Sequence, residues 1–248
     1  MKRFLTLLSL SAACATPSVK MCSDAVVPVA RGSIAGEGGT LTGLASFDEL
    51  GVEDVERAGT SPRLDIRGEA GTLSLGFMPA AYAGEGTLAA DLQLGGETFE
   101  RTASVETVMG ADFLTARWTQ EVIGSEPLSL GLGVGFCGVG LEMKVARIDG
   151  DGEGQLNELI PLPLAVAKLE GDLGRLAYEA SFGLHDAGGS GAAHRLEDLD
   201  ARLSFDLSDA GALVLGYRRV QLEGTHEEDG ASLDAVFGGP YLGLRVGF

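Results

Sequence analysis

The sequence predicts an all-β chain closed into an antiparallel transmembrane β-barrel of about 10 strands, with 8 as the alternative count. Three observations carry this. First, apolar residues recur at every second position in segment after segment. In the clearest one, Leu128, Leu130, Leu132, Val134 and Phe136 alternate with Ser129, Gly131, Gly133 and Gly135. Alternation of this kind sets one strand face against an apolar medium and the other against a polar interior. Second, the links between segments are alternately short and long. Third, beyond a brief N-terminal run there is no stretch of 18 apolar residues, so a transmembrane helix is not available. Lipid admits only helices and closed barrels, because each must satisfy its own backbone groups.

Taken in order, residues 39–47 form a weak first strand with Leu41, Ala45 and Phe47 on one face. Residues 48–61 are a loop in which Leu50, Val52 and Val55 are acid-flanked, in the manner of a short helix. Residues 62–68 point Leu64 and Ile66 outward and Arg63, Asp65 and Arg67 inward. After the turn at 69–71, residues 72–82 return with Leu73, Leu75 and Phe77 outward. Residues 83–103 are an excursion whose pieces 88–94 and 98–101 read as extensions of the neighbouring strands. Residues 104–122 alternate Leu114, Ala116 and Trp118 with Thr115, Arg117 and Thr119.

After residue 136 the apolar phase shifts to Val139, Leu141, Met143 and Val145, which predicts a β-bulge at Cys137-Gly138 and turns Glu142 and Lys144 inward. Residues 159–170 place Leu162, Leu164 and Val166 outward. Pro161 and Pro163 cannot donate to a ladder and should lie near the rim. Residues 175–184, 199–207, 212–222 and 233–248 complete the set, joined by the turns 171–174 and 208–211 and by loops at 185–198 and 223–232.

The N-terminus has the layout of an export signal. Lys2 and Arg3 precede an apolar run, and Ala13-Cys14-Ala15 offers a cleavage site. Lipidation of Cys14 is the alternative. The expected organisation is therefore a signal peptide at 1–15, a periplasmic N-terminal tail at 16–38 and a barrel at 39–248. Cys22 falls in the tail and Cys137 in a strand, so no disulfide framework is read. The formal net charge of -18 speaks against nucleic acid, which needs a basic stripe. Glycine is abundant, with 38 in 248 residues.

The ending Gly239 to Phe248 sets Leu242, Leu244, Val246 and Phe248 on one face and Tyr241, Gly243, Arg245 and Gly247 on the other. It resembles the C-terminal signal of bacterial outer-membrane β-barrel proteins, and Tyr241, Leu242, Leu244, Val246 and Phe248 would carry that assembly signal. The resemblance implies a bacterial outer-membrane location, contact with outer-membrane lipid, recognition by the barrel assembly machinery, and a monomer. Its pattern is that of a small barrel filled by side chains.

The inward charges Arg63, Asp65, Arg67, Arg117, Glu179, Asp200, Arg202 and Arg245, with Asp206 near them, form the expected lumen network. Opposite charges in so narrow a space should pair, since an unpaired buried charge is costly. A filled lumen implies a structural, adhesive or interaction role, and an open one a narrow pore or carrier for small solutes. A third alternative is a hydrolase using rim residues. His185, His194 and His226 lie near external loops, and ten strands with rim acids and histidines are similar to the omptin proteases. The chain is short for that family, however, and shows no rim carboxylate pair at its spacing. Outer-membrane lipid A deacylases use a Ser–His pair at i, i+2, which is absent here. The expectation is therefore of no enzyme and no catalytic residue. No cofactor is expected beyond a weak calcium site at Asp149, Asp151 and Glu153. This segment resembles the start of an EF-hand loop but has Ile160 at the position of the bidentate Glu.

Overall fold

The computed structural model describes residues 17–248 except 39–40, 53–54, 58, 126, 190–191, 227–230 and 248. The proposed signal peptide and Phe248 thus lie outside the described residues. The strands are β1 (Ser18–Val26), β2 (Val29–Gly38), β3 (Leu41–Ser46), β4 (Val55–Arg57), β5 (Gly59–Gly68), β6 (Gly71–Thr87), β7 (Leu92–Leu94), β8 (Glu97–Phe99), β9 (Ser104–Ser125), β10 (Leu128–Arg147), β11 (Glu153–Leu173), β12 (Leu176–Gly189), β13 (Ala192–Ser208), β14 (Gly211–His226) and β15 (Ala231–Gly247). Every pairing among them is antiparallel. Ten strands close a ring in the order β1, β5, β6, β9, β10, β11, β12, β13, β14, β15, with β15 returning to β1 through pairs from Lys20–Gly247 to Val26–Tyr241. The ring therefore has ten strands and not eight.

The first ring strand is not the expected one. Residues 18–38 were expected as a tail but form β1 and β2, and Cys22 is buried in β1 as a free thiol, like Cys137 in β10. The region was misread because its alternation is weak and its inward side carries Cys22 and Asp24 in place of a clear apolar or charged series. The expected first strand becomes β3, which pairs with β2 and β7 outside the ring. Residues 92–99 extend no neighbouring strand. They form the β7–β8 hairpin, turning at Gly95 and Gly96, whose φ values of 60° and 87° suit the tight turn that fits strand twist. No helix forms at 47–52. The segment is a turn in which the Glu49 carboxylate accepts from Ser46 N at 2.9 Å and the Ser46 hydroxyl from Glu49 N at 3.2 Å. The 185–198 loop is largely strand, since β12 and β13 pair out to Gly189–Ala192.

The long strands reveal two halves of opposite construction. β9 has 22 residues and β10 has 20, whereas a tilted strand crosses a bilayer in about 9–11. Near the short turns the outward side is apolar and exposed: Leu73, Leu75 and Phe77 on β6, Leu114 and Trp118 on β9, Leu132, Val134 and Phe136 on β10, Leu203 and Phe205 on β13. Farther along the same strands the outward residues become Glu85, Asp112, Glu142 and Lys144. The inward side changes the other way, from Thr115 and Arg117 to Phe113, Met109 and Val105 on β9. The lower half has the polarity of a membrane barrel and the upper half that of a water-soluble one.

This inversion corrects the expected bulge. The β9–β10 register runs unbroken through Phe136–Ala116, Cys137–Thr115 and Gly138–Leu114, and its irregularity lies instead at Leu130/Gly131. Val139, Leu141, Met143 and Val145 are buried inward, while Glu142 and Lys144 face out. The strand keeps its phase, and its surroundings exchange sides. Leu162, Leu164 and Val166 on β11 are likewise buried inward, not outward.

In the upper half, Phe237 lies at ring distances of 6.3, 6.3 and 5.4 Å from Phe47, Tyr82 and Phe113. Leu50, Val52, Leu92, Leu94 and Phe99, from the turn and the hairpin, fold into the same core and are fully buried.

Two substitutions test the lower belt. Leu132→Arg and Leu203→Arg place a charge on its outward face and should each cost about 2–4 kcal/mol near the bilayer midplane. Glu142→Arg, on the polar outer face of the upper half, should fold as wild type does. Heat-dependent gel mobility of membrane-assembled protein reads both results.

Candidate functional site

Two interior regions are stacked along the ring. The lower is a charged plug built on β13. Asp198, Asp200 and Arg202 stand at two-residue spacing, so all three side chains point inward. Asp198 has 0% exposure and receives Arg117 from β9 and Arg218 from β14. The Arg218 Nε and Nη2 atoms lie 3.1 and 2.9 Å from its oxygens. Arg117 also donates to the Ser181 hydroxyl at 2.7 Å. Asp200 is paired with Arg63 of β5 and accepts from the Tyr241 hydroxyl of β15 at 2.6 Å. Arg202 reaches Asp65 at 2.9 Å and Glu179 at 2.6 Å.

Lys168 extends the network to Glu170 at 2.9 Å and Glu179 at 3.2 Å, Glu170 also meets Arg67, and Arg245 pairs with Asp206 at 2.9 Å. The structure thus brings together Arg63, Asp65, Arg67, Arg117, Glu179, Asp200 and Arg202, with Arg245 at its lower margin. It adds Lys168, Glu170, Asp198, Arg218 and Tyr241. The sequence pattern hides Asp198 in an apparent loop, and it hides Lys168 because the apolar residues of β11 suggest the opposite phase.

Close backbone approach makes room for the plug. A Cβ on Gly216 would lie 2.2 Å from the Tyr241 ring, so glycine there lets the ring cross β14 toward Asp200. Of the expected assembly-signal residues, Tyr241 faces inward, and Leu242, Leu244 and Val246 are exposed on the outer face. Below the plug lies a vestibule of about 750 Å³ lined by Lys20, Arg67, Glu179, Arg202 and Arg245. Within the plug lie two small voids of about 30 and 40 Å³.

The upper region is an apolar chamber of about 570 Å³, bounded by Ile34, Leu41, Met109, Leu141, Met143 and Ile160 and reaching His194 of β13. The Nδ1 atom of His194 is buried without a hydrogen-bond partner among the described residues. His185 is elsewhere: its Nδ1 donates to the Pro163 carbonyl at 2.9 Å. The side chain of His226 lies outside the described residues. Asp149, Asp151 and Glu153 are not gathered into a metal-ligating group. Glu153 is paired with Lys144 at 2.8 Å, and no cluster of three metal-binding side chains occurs among the described residues.

No family model matches the chain, and no curated protein does. Solved structures do resemble it. The outer membrane protease OmpT from Escherichia coli aligns with a TM-score of 0.56 at 9% identity, over 94% of this chain and 97% of that one. The translocator domain of the autotransporter NalP from Neisseria meningitidis gives 0.40 at 11% identity, over 96% and 90%. The toluene transporter TodX of P. putida gives 0.31 at 7% identity, over 95% and 91%. The likeness to OmpT and the closed antiparallel ring make the fold that of an outer-membrane β-barrel. The likeness to OmpT also overturns the expectation that the chain is not an enzyme. This ring carries a protease in another protein, so its architecture gives no ground for excluding catalysis.

The plug makes a direct stability prediction. Asp198→Ala leaves Arg117 and Arg218 buried without their shared carboxylate and should cost about 3–5 kcal/mol. Asp149→Ala, on an exposed turn, should change stability by no more than about 0.5 kcal/mol. Equilibrium unfolding in guanidinium from lipid vesicles compares the two.

Proposed function

We propose that this chain is an integral protein of the bacterial outer membrane whose lumen is sealed by the charged plug, and that it works through binding at its external half rather than as a pore. The single observation that carries this reading is the constriction around Asp198, Asp200 and Arg202. There the vestibule of about 750 Å³ gives way to voids of about 30 and 40 Å³ between paired side chains, the first reaching Asp200 and the second Arg202. Both described ends of the ring, β1 and β15, lie with the tight turns, as both termini do in outer-membrane barrels. The outward belt of the lower half supplies the lipid contact. The upper half projects a water-compatible wall around an apolar interior, a construction suited to recognition rather than conduction.

Planar-bilayer recording tests the seal. The wild-type protein should insert without steady conductance. Replacing Arg63, Arg117 and Arg202 together by Ala shortens the side chains that close the constriction and should produce stepwise ion currents. Steady channels from the wild type would overturn the reading.

A further inference from the structure

Among the described residues, strand pairing in the ring wall stops on one side of the apolar chamber. β10 and β11 pair over the whole length from Leu128–Gly171 to Ala146–Glu153. β11 and β12 pair only from Leu173–Leu176 to Ala165–Leu184. Beyond Ala165, β12 follows β13, and the upper edge of β11 has no ladder partner among the described residues. The cause is in the sequence. The Pro163 carbonyl faces β12, where it accepts from His185. In a strand, a residue's N–H and C=O point to the same side, and Pro161, two residues away, repeats that orientation. Proline has no N–H, so both positions lack a donor on the edge where β12 would bind. The slot therefore begins at two consecutive places where the ladder cannot form.

The slot also lies at a particular depth. On the outer side of β11, Pro161, Pro163 and Ala165 continue the apolar belt, and Leu159 is 77% exposed; the next outward residues are Asn157 and Gln155. The opening thus meets the outer margin of the belt. It leads inward past Leu159, Ile160 and Pro161 to Leu141, Met143 and Met109. The chamber, at about 570 Å³, falls within the range of about 300–1,000 Å³ usual for small-molecule sites. Its lining is mostly apolar.

We propose that the chamber binds an acyl chain of an outer-leaflet lipid, which enters sideways between β11 and β12. The inference rests on the outer-membrane reading above and names the class of ligand for its external half. A hydrocarbon chain fits each feature: it is available at the depth of the slot, it can thread a gap too narrow for a folded partner, and it gains by leaving the interface for an apolar lining. His194 is half-buried at the chamber, and its buried Nδ1 atom, without a hydrogen-bond partner among the described residues, is placed to meet a polar group near the carbonyl end of the chain.

The test uses the full mature chain in lipid nanodiscs doped with a phosphatidylethanolamine bearing a photoreactive diazirine near the end of one acyl chain. After illumination, adducts are mapped by mass spectrometry. Adducts are expected on Met109, Leu141 and Met143 inside the chamber as well as on outward residues such as Leu132 and Leu203. Moving the diazirine toward the headgroup should shift the inner adducts to Leu159 and Pro161. Met143→Trp fills the chamber and should lower inner adducts by about tenfold, the effect of excluding roughly two methylene groups. Pro161→Val/Pro163→Val restores two donors, which should extend the β11–β12 ladder and lower inner adducts similarly. Outward adducts should stay constant in both variants and report correct insertion. Outward adducts without inner ones in the wild type would overturn the acyl-chain proposal and leave the outer-membrane reading standing. Absence of both would overturn that reading as well.

Discussion

The structure depends on the requirement that charges buried in a narrow ring find partners across it. Asp198, Asp200 and Arg202 place two negative charges and one positive charge along a single inward face of β13. None can be left unpaired without a large desolvation penalty. Their partners come from β5, β9, β12, β14 and β15: Asp65 and Arg63, Arg117, Glu179, Arg218 and Tyr241. One strand is thereby tied to half of the ring. Backbone ladders join β13 only to β12 and β14, and the side chains of Arg63, Asp65, Arg117 and Tyr241 tie it to β5, β9 and β15, which no ladder connects to it. That bracing allows inward glycines such as Gly133, Gly135 and Gly216 to stand in the wall, where they leave space for Arg117 and Tyr241.

The second constraint is the exchange of solvents along the strands. In lipid, the outer face must be apolar and the inner face can be polar. In water the demands are reversed. A strand that passes from one medium to the other must exchange the character of its two faces while its side-chain period stays at two. β10 does this between Phe136 and Glu142 on the outside and between Gly135 and Val139 on the inside. The residues at the exchange, Cys137 and Gly138, are small. The outer polar face then makes its own contacts along the strand: Arg195 with Glu197 at 2.5 Å, Arg219 with Gln221 at 2.5 Å and Gln221 with Glu223 at 2.7 Å.

That exchange also explains what could be read from the sequence. The lower half was legible because its two faces differ strongly and constantly; Leu203 and Phe205 against Arg202 and Ser204 leave one sensible phase. Above the exchange, the same rule that sends apolar residues toward lipid gives the wrong side. Val139, Leu141 and Met143 were therefore turned outward, and a bulge was needed to reconcile them with Phe136. β11 was misread throughout because it keeps Leu162, Leu164 and Val166 inside even near the lower half, with Pro163, Ala165 and Ala167 outside. β1 was missed because Lys20, Cys22 and Asp24 on its inner side and Met21 and Ser23 on its outer side form no contrast. Its place is fixed by partners distant in sequence, Leu64 and Val246 across from Met21. The apolar chamber was not legible at all. It arises where the turn at 47–52, the β7–β8 hairpin and the walls meet, and its existence depends on the inner side of strands whose phase had been inverted.

The two halves are not independent. A barrel that opens its wall sideways in the membrane risks a leak along its axis. Here the slot starts above Ala165–Leu184, while Lys168, Ser181 and Glu179 of the same two strands belong to the plug below it. The proposed closure of the lumen and the proposed lateral entry thus fall on successive stretches of one strand pair. Where β11 carries Lys168 and Glu170 inward, it pairs with β12. Where it carries Pro161 and Pro163, no such pairing occurs among the described residues. The inward residues between them, Leu164 and Val166, are apolar and buried. A strand edge without a partner can persist in this wall because the segment beneath it is held from both sides, by β10 along its full length and by the ladder to β12.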